Sequence, residues 1–166
     1  AVCTTYRVYK VCGMGPPSSG ATTVQGVLGM LERFDLRGLG KDDPRSWHLI
    51  AEAMRLAYAD RERYLADPDF FPVPTAGLLA PDYLAKRAQL IAIDRTMPSV
   101  EAGNPKGVKV ALADTLTPDV ISTSHFVAID RMGRAATLTS TIESAFGSGL
   151  VVNGYFLNNE LTDLSI

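Results

Sequence analysis

The sequence predicts an α/β (α+β) chain, helical in its first part and built on a β-hairpin in its last. Asp43-Pro44 is a capping residue followed by proline at the first helical position. Trp47, Ile50, Ala51, Met54, Ala57 and Tyr58 then give one apolar face over about three turns. After residue 121 the pattern turns to β, where STSHFVAID and RAATLTSTI flank a turn containing Gly133. With 166 residues, 46% of them hydrophobic, the chain is long enough to bury one ordinary core.

In chain order, residues 5–12 (TYRVYKVC) alternate as a single strand, broken by the rigid loop GMGPPSSG. Val24, Val27, Leu28 and Leu31 fall at i, i+3, i+4 and i+7 and predict a helix. Gly26 and Gly29 weaken that helix, which is expected where another backbone packs closely. The helix from Asp43 ends in Asp60-Arg61-Glu62-Arg63, read as a solvated face with local ion pairs. DPDFFPVP is loop, and Pro81-Asp82 starts a third helix carrying Leu84, Ala88 and Ile91. Residues 98–120 have no period and are expected to be flexible. The end, FGSGLVVNGYFLNNELTD, is glycine-rich and then polar.

The composition excludes several functional classes. A net charge of −2 gives no electrostatic footprint for nucleic acid, and no basic block implies an anionic membrane surface. The apolar runs are far shorter than a transmembrane helix requires. Cys3 and Cys12 lie in no CxxC pair and near no histidine, so zinc and redox motifs are unsupported. A bridge between them requires a tight return of the chain, and they are read as buried free thiols. The chain opens directly in strand material and stops after a polar cluster, so it is read as a piece of a larger protein.

The hairpin carries the chemistry. A three-residue loop, Arg131-Met132-Gly133, puts Gly133 in the left-handed position and pairs Asp130 with Arg134. Counting back along both strands then sets Thr123 opposite Thr141. A two-residue loop at Met132-Gly133 would instead set Ser124 opposite Thr141; the glycine at the third position favours the first register. Thr137, Thr139, Thr141 and Glu143 share one face of the second strand. Threonine is a good strand former, so a threonine-rich face by itself implies no site. His125 reads as a strand histidine held by hydrogen bonds, and His48, inside a helix, is a poorer candidate still.

PPSSG, AEAMRLAYADRERYLADPDF and TSHF…FGSG…LNNELTD, in this order and spacing, resemble the γ-glutamyltransferases and their cephalosporin-acylase relatives. Those proteins are N-terminal-nucleophile hydrolases, so the resemblance implies part of an αββα sandwich. It also implies self-cleavage between Ser122 and Thr123. Residues 1–122 would then end a large subunit, and residues 123–166 would begin a small one. Ser124 stands where the usual triplet has a second threonine.

By resemblance, Thr123 is the nucleophile and Thr141 orients its hydroxyl, while Glu143, Glu160 and Asp163 hold the α-ammonium of a γ-glutamyl donor. Glu143 and Glu160 depart from the usual asparagine and glutamine; carboxylates still attract a cation. Without the resemblance, Glu160 and Asp163 read as surface acids, and E-x-x-D lacks the pattern of a calcium loop.

A threonine freed at its amine needs no histidine. The α-amine, with a reference pKa of about 7.7–8.0, serves as base for its own hydroxyl. The implied activity is transfer or hydrolysis of γ-glutamyl groups, as from glutathione, to water, an amino acid or a peptide. It needs no metal and no organic cofactor. The family's carboxylate-clamping arginine lies upstream, and its carboxylate-binding serines and oxyanion-hole glycines lie downstream. The segment alone is therefore expected to be inactive, and the other parts of both subunits are its expected partners. A periplasmic or secreted parent is implied. Two rival readings are a glutaryl- or cephalosporin-type acylase with the same nucleophile and a non-catalytic segment that serves only in assembly.

Overall fold

The computed structural model describes residues 1–108 and 123–159, which belong to two compact units, Ala1–Thr115 and Leu116–Ile166. The first unit opens with a hairpin of β1 (Val2–Tyr6) and β2 (Tyr9–Gly13). The stretch read as one strand is therefore two, joined at Arg7-Val8. Arg7 takes the turn at φ 55, and its guanidinium donates to the Phe34 carbonyl at 2.9 Å. Its backbone N–H also meets the Glu32 carboxylate, at 3.2 Å from Oε2. These bonds fasten the turn to the end of the next helix.

The same return corrects the reading of the cysteines. Cys3 lies directly opposite Cys12, and the two form a disulfide. Counting from the closing pair Tyr6–Tyr9, this is a non-hydrogen-bonded position, where opposed side chains approach most closely.

Helix α1 (Gly20–Leu31) turns an unexpected face inward. Thr22, Gln25, Gly26, Met30 and Leu31 are buried, whereas Val24 is exposed. Gln25 is buried because its amide donates to the Val2 carbonyl at 2.8 Å, holding the hairpin on the helix. Gly29 meets a side chain rather than a backbone: a Cβ there would fall 2.4 Å from Cδ1 of Leu84.

A short α2 (Leu36–Leu39) precedes α3 (Pro44–Tyr64), which begins where the sequence predicts. Asp43 caps it, its carboxylate accepting from the Arg45 N–H at 2.8 Å. The buried face, however, is Ser46, Leu49, Glu52, Ala53, Leu56, Ala57, Asp60 and Tyr64, while Trp47, Met54 and Tyr58 face solvent. Asp60 is thus not part of a solvated end. It pairs with buried Arg87 at 3.0 Å and accepts from the Tyr83 hydroxyl at 2.8 Å.

A short α4 (Thr75–Leu78) follows the DPDFFPVP loop. Helix α5 (Pro81–Ala88) then brings Leu84 and Ala88 to the core, with Ile91 buried just past its end. The core lies where α1, α3 and α5 meet, around Met30, Leu49, Leu56 and Leu84. Residues 98–108, expected to be flexible, are instead bonded to α3 and α5 through Glu101, Gly103 and Lys106. The rest of that expectation, 109–120, lies outside the described residues.

In the second unit, β3 (Thr123–Ile129) and β4 (Ala135–Thr141) form an antiparallel hairpin. A small hairpin of β5 (Val151–Val152) and β6 (Tyr155–Phe156) follows; Asn153 and Gly154 turn it at φ 51 and φ 85. Among the described residues no helix is long and apolar enough to cross a membrane.

Candidate active site

The turn between β3 and β4 fixes what faces what. Gly133 sits at φ 78, its N–H donates to the Asp130 carbonyl at 3.0 Å, and Asp130 pairs with Arg134. The arginine beside Asp130 holds its carboxyl below the usual carboxylate range. This is the three-residue loop, and it sets Thr123 opposite Thr141.

The Asp130 N–H bonds the Arg134 carbonyl at 2.9 Å, so alternation from that pair makes Thr123–Thr141 a non-hydrogen-bonded pair. Side chains are closest at such positions. The N–H and C=O of both residues point away from the partner strand. Thr123 is exposed, as is all of β3. His125, on the same face, bonds the Thr139 hydroxyl through Nδ1 at 2.8 Å, in keeping with a strand histidine held by hydrogen bonds.

Past the end of β4 the chain changes direction at Glu143, which is 6% exposed and has φ 68. A glutamate in the left-handed region is uncommon, and such backbone strain clusters at functional sites. The Glu143 N–H donates to the Thr141 hydroxyl oxygen at 2.8 Å. That bond holds the hydroxyl oxygen beside the start of the strand pair. Sequence reading missed two residues that secure this corner. The Ser144 N–H and hydroxyl meet Oδ1 of Asn159 at 3.2 and 3.1 Å, and the Asn159 N–H reaches the Ile142 carbonyl at 3.4 Å. Asn159 is signalled only by the polar run after the glycines, and Ser144 by nothing in the sequence. A side chain at Gly147 would fall 2.0 Å from the Leu157 carbonyl oxygen, so glycine permits the close return of residues 157–159.

Of the site residues read from the sequence, Thr123, Thr141 and Glu143 are thus brought to one end of the hairpin. Ser122, Glu160 and Asp163 lie outside the described residues. Among the described residues no group of three or more His, Cys, Asp or Glu side chains is arranged to hold a metal.

Comparison with known proteins gives a consistent set of likenesses. Residues 1–166 match the family model described as gamma-glutamyltranspeptidase. The glutathione hydrolase proenzyme of Bacillus subtilis (strain 168) is 40% identical over 169 residues, which cover 95% of this chain and 28% of that protein. The chain therefore spans little more than a quarter of such a relative. The crystal structure of Helicobacter pylori gamma-glutamyltranspeptidase matches with a TM-score of 0.61 and 38% identity, over 66% of this chain and 32% of that one. Cephalosporin acylase from Bacillus halodurans matches with a TM-score of 0.75 over 99% of this chain and 27% of that one. At 24% identity this is a likeness of fold.

Proposed function

The chain belongs to the gamma-glutamyltranspeptidase family, and we propose that its parent is a self-processing γ-glutamyl transferase and hydrolase whose nucleophile is Thr123. One observation carries the reading: an exposed threonine at the start of β3 stands directly opposite a second threonine whose hydroxyl oxygen is already held.

The Thr123 hydroxyl attacks the Ser122 carbonyl, its oxygen replacing the Thr123 nitrogen on that carbon. Water then hydrolyses the resulting ester, leaving a Ser122 carboxylate and a free Thr123 amine. That nitrogen points away from β4, which supports its use as a base. It takes the hydroxyl proton as the oxygen attacks the γ-carbonyl of a donor and passes the proton to the departing amine. Water, an amino acid or a peptide then takes the γ-glutamyl group from the ester and restores Thr123. Thr141, directly opposite and with its oxygen held by the Glu143 N–H, orients the Thr123 hydroxyl.

Glu143, with Glu160 and Asp163, receives the α-ammonium of the donor. The buried setting and strained backbone of Glu143 support that role, and the chain enters Glu160 directly from the clamped Asn159. The large and small subunits meet at residues 122 and 123, and the remaining parts of both subunits complete the site. A compartment outside the cytoplasm is proposed as well, and the Cys3–Cys12 disulfide supports it.

Comparing a γ-glutamyl anilide with its glutaryl counterpart on the full-length parent tests the substrate class. Glutaryl groups lack the α-amine that the carboxylates receive. Preference for the γ-glutamyl compound is expected; preference for the glutaryl one would make the parent an acylase.

A further inference from the structure

Helix α3 carries a polar side chain at nearly every fourth position along one stripe, and each meets the backbone of the segment 92–103. Nε2 of His48 lies 2.8 Å from the Ala92 carbonyl oxygen. Glu52, 2% exposed, accepts from the Met97 N–H at 2.8 Å. Asp60 accepts from the Gly103 N–H at 2.8 Å, and the Tyr64 hydroxyl donates to the Gly103 carbonyl at 2.6 Å. At the skipped position, the Leu56 carbonyl accepts from buried Arg87, which also donates to the Glu101 carbonyl at 2.9 Å. From His48 to Tyr64 the stripe follows about 24 Å of helix axis. The segment runs beside it in the same direction as a strap.

An apolar stripe would cover the same core without burying charge. Buried carboxylates aimed at backbone N–H groups serve a different end: they fix an irregular segment in one place. The fit is tight at both contacts with glycine. A Cβ at Gly103 would fall 2.3 Å from the Tyr83 hydroxyl oxygen, and one at Gly77 would fall 1.9 Å from the Lys106 carbonyl oxygen.

Beyond Lys106 the sequence runs on to Ser122. Self-cleavage is an intramolecular reaction whose rate depends on how the Ser122 carbonyl is presented to the Thr123 hydroxyl. We propose that the α3 stripe and Arg87 are a tether that fixes the origin of the segment leading to the cleavage point. On this assignment Glu52, Asp60 and Arg87 are positioning residues for self-cleavage. They are not residues of γ-glutamyl transfer. From Gly107 to the cut, the chain spans at most about 3.5 Å per residue, so a fixed origin restricts where Ser122 reaches. After the cut, the new large-subunit end stays attached to the helical body through the strap. The inference rests on the reading that the parent cleaves itself before Thr123.

The test uses full-length precursor carrying Glu52→Gln or Gly103→Ala, the second altering the strap rather than the helix. Three quantities are followed: backbone amide exchange at residues 97 and 103, the half-time of cleavage by intact mass, and kcat/KM per matured molecule. Faster exchange and cleavage slowed by about tenfold or more are expected, with kcat/KM of the matured fraction unchanged. Wild-type cleavage rates in a variant whose exchange at residue 97 or 103 has risen would overturn the tether. So would a fall in kcat/KM proportional to the fall in cleavage, since that marks a merely structural role. A wild-type precursor that matures by a cut elsewhere, or not at all, overturns the Thr123 reading itself, a distinct result.

Discussion

Thr123 and Thr141 face each other with their backbone polar groups turned outward, and the Glu143 N–H occupies a lone pair of the Thr141 hydroxyl. A hydroxyl whose oxygen accepts this bond still carries a proton of its own. Thr141→Val keeps the shape and removes that proton. It is expected to lower both the self-cleavage rate and the kcat of the parent, by about 10²-fold, the scale seen when one preorganised donor is lost. Thr141→Ser should retain most of both. Single-turnover cleavage and steady-state rates check the pair.

Two α3 carboxylates that hold the strap respond to acid in opposite senses. Burial raises the pKa of Glu52, but the Met97 N–H and the Arg55 guanidinium outweigh it and leave the group below its ordinary 4.5. Its contribution to stability is therefore present above that value and lost as pH falls through the lowered one. Asp60 is raised above its ordinary 3.8 by burial, against the bonds from Gly103, Arg87 and Tyr83. Its contribution is present below 3.8 and lost as pH rises through the raised value. Glu52→Gln should cost about 1.5–3 kcal/mol at neutral pH, with a deficit that shrinks as the medium is acidified below 4.5. Thermal melting against pH measures this; a deficit constant with pH would contradict it.

At the scale of elements, α1 offers two glycines with opposite expectations. A methyl at Gly26 would meet the Ala57 Cβ at 3.9 Å, an ordinary contact. Gly26→Ala therefore gains helix propensity and should stabilise by about 0.5–1 kcal/mol. A methyl at Gly29 would overlap buried Leu84, so Gly29→Ala should destabilise by about 1–2 kcal/mol after the same gain. Denaturant unfolding of the two variants checks the signs.

Elements were legible where local chemistry dictates them. Asp43-Pro44 starts α3, and Gly133 fixes the register that sets Thr123 against Thr141. Helix faces were not legible from apolar periodicity, because Gln25, Glu52 and Asp60 turn inward to bond backbone. Trp47, Met54 and Tyr58 are left outside as a result. The polar residues spaced by four along α3 were the available signal. The Cys3–Cys12 bridge was hidden by a turn at Arg7-Val8 that contains neither glycine nor asparagine. Asn153-Gly154, by contrast, was a readable turn signal for β5 and β6.

At the scale of the molecule, the chain carries part of the sandwich fold seen in its structural relatives. Several large apolar side chains of the second unit, among them Phe126, Ile129 and Leu138, are exposed. On the proposed reading, the nucleophile, its base and the subunit boundary come into being together when the bond before Thr123 breaks. The direct measurement is the mass and N-terminal residue of the pieces formed by the purified full-length parent. Two pieces, the smaller beginning at Thr123, are expected, with one intact chain in Thr123→Ala. A wild-type parent that stays whole, or is cut at any other residue, would contradict the account.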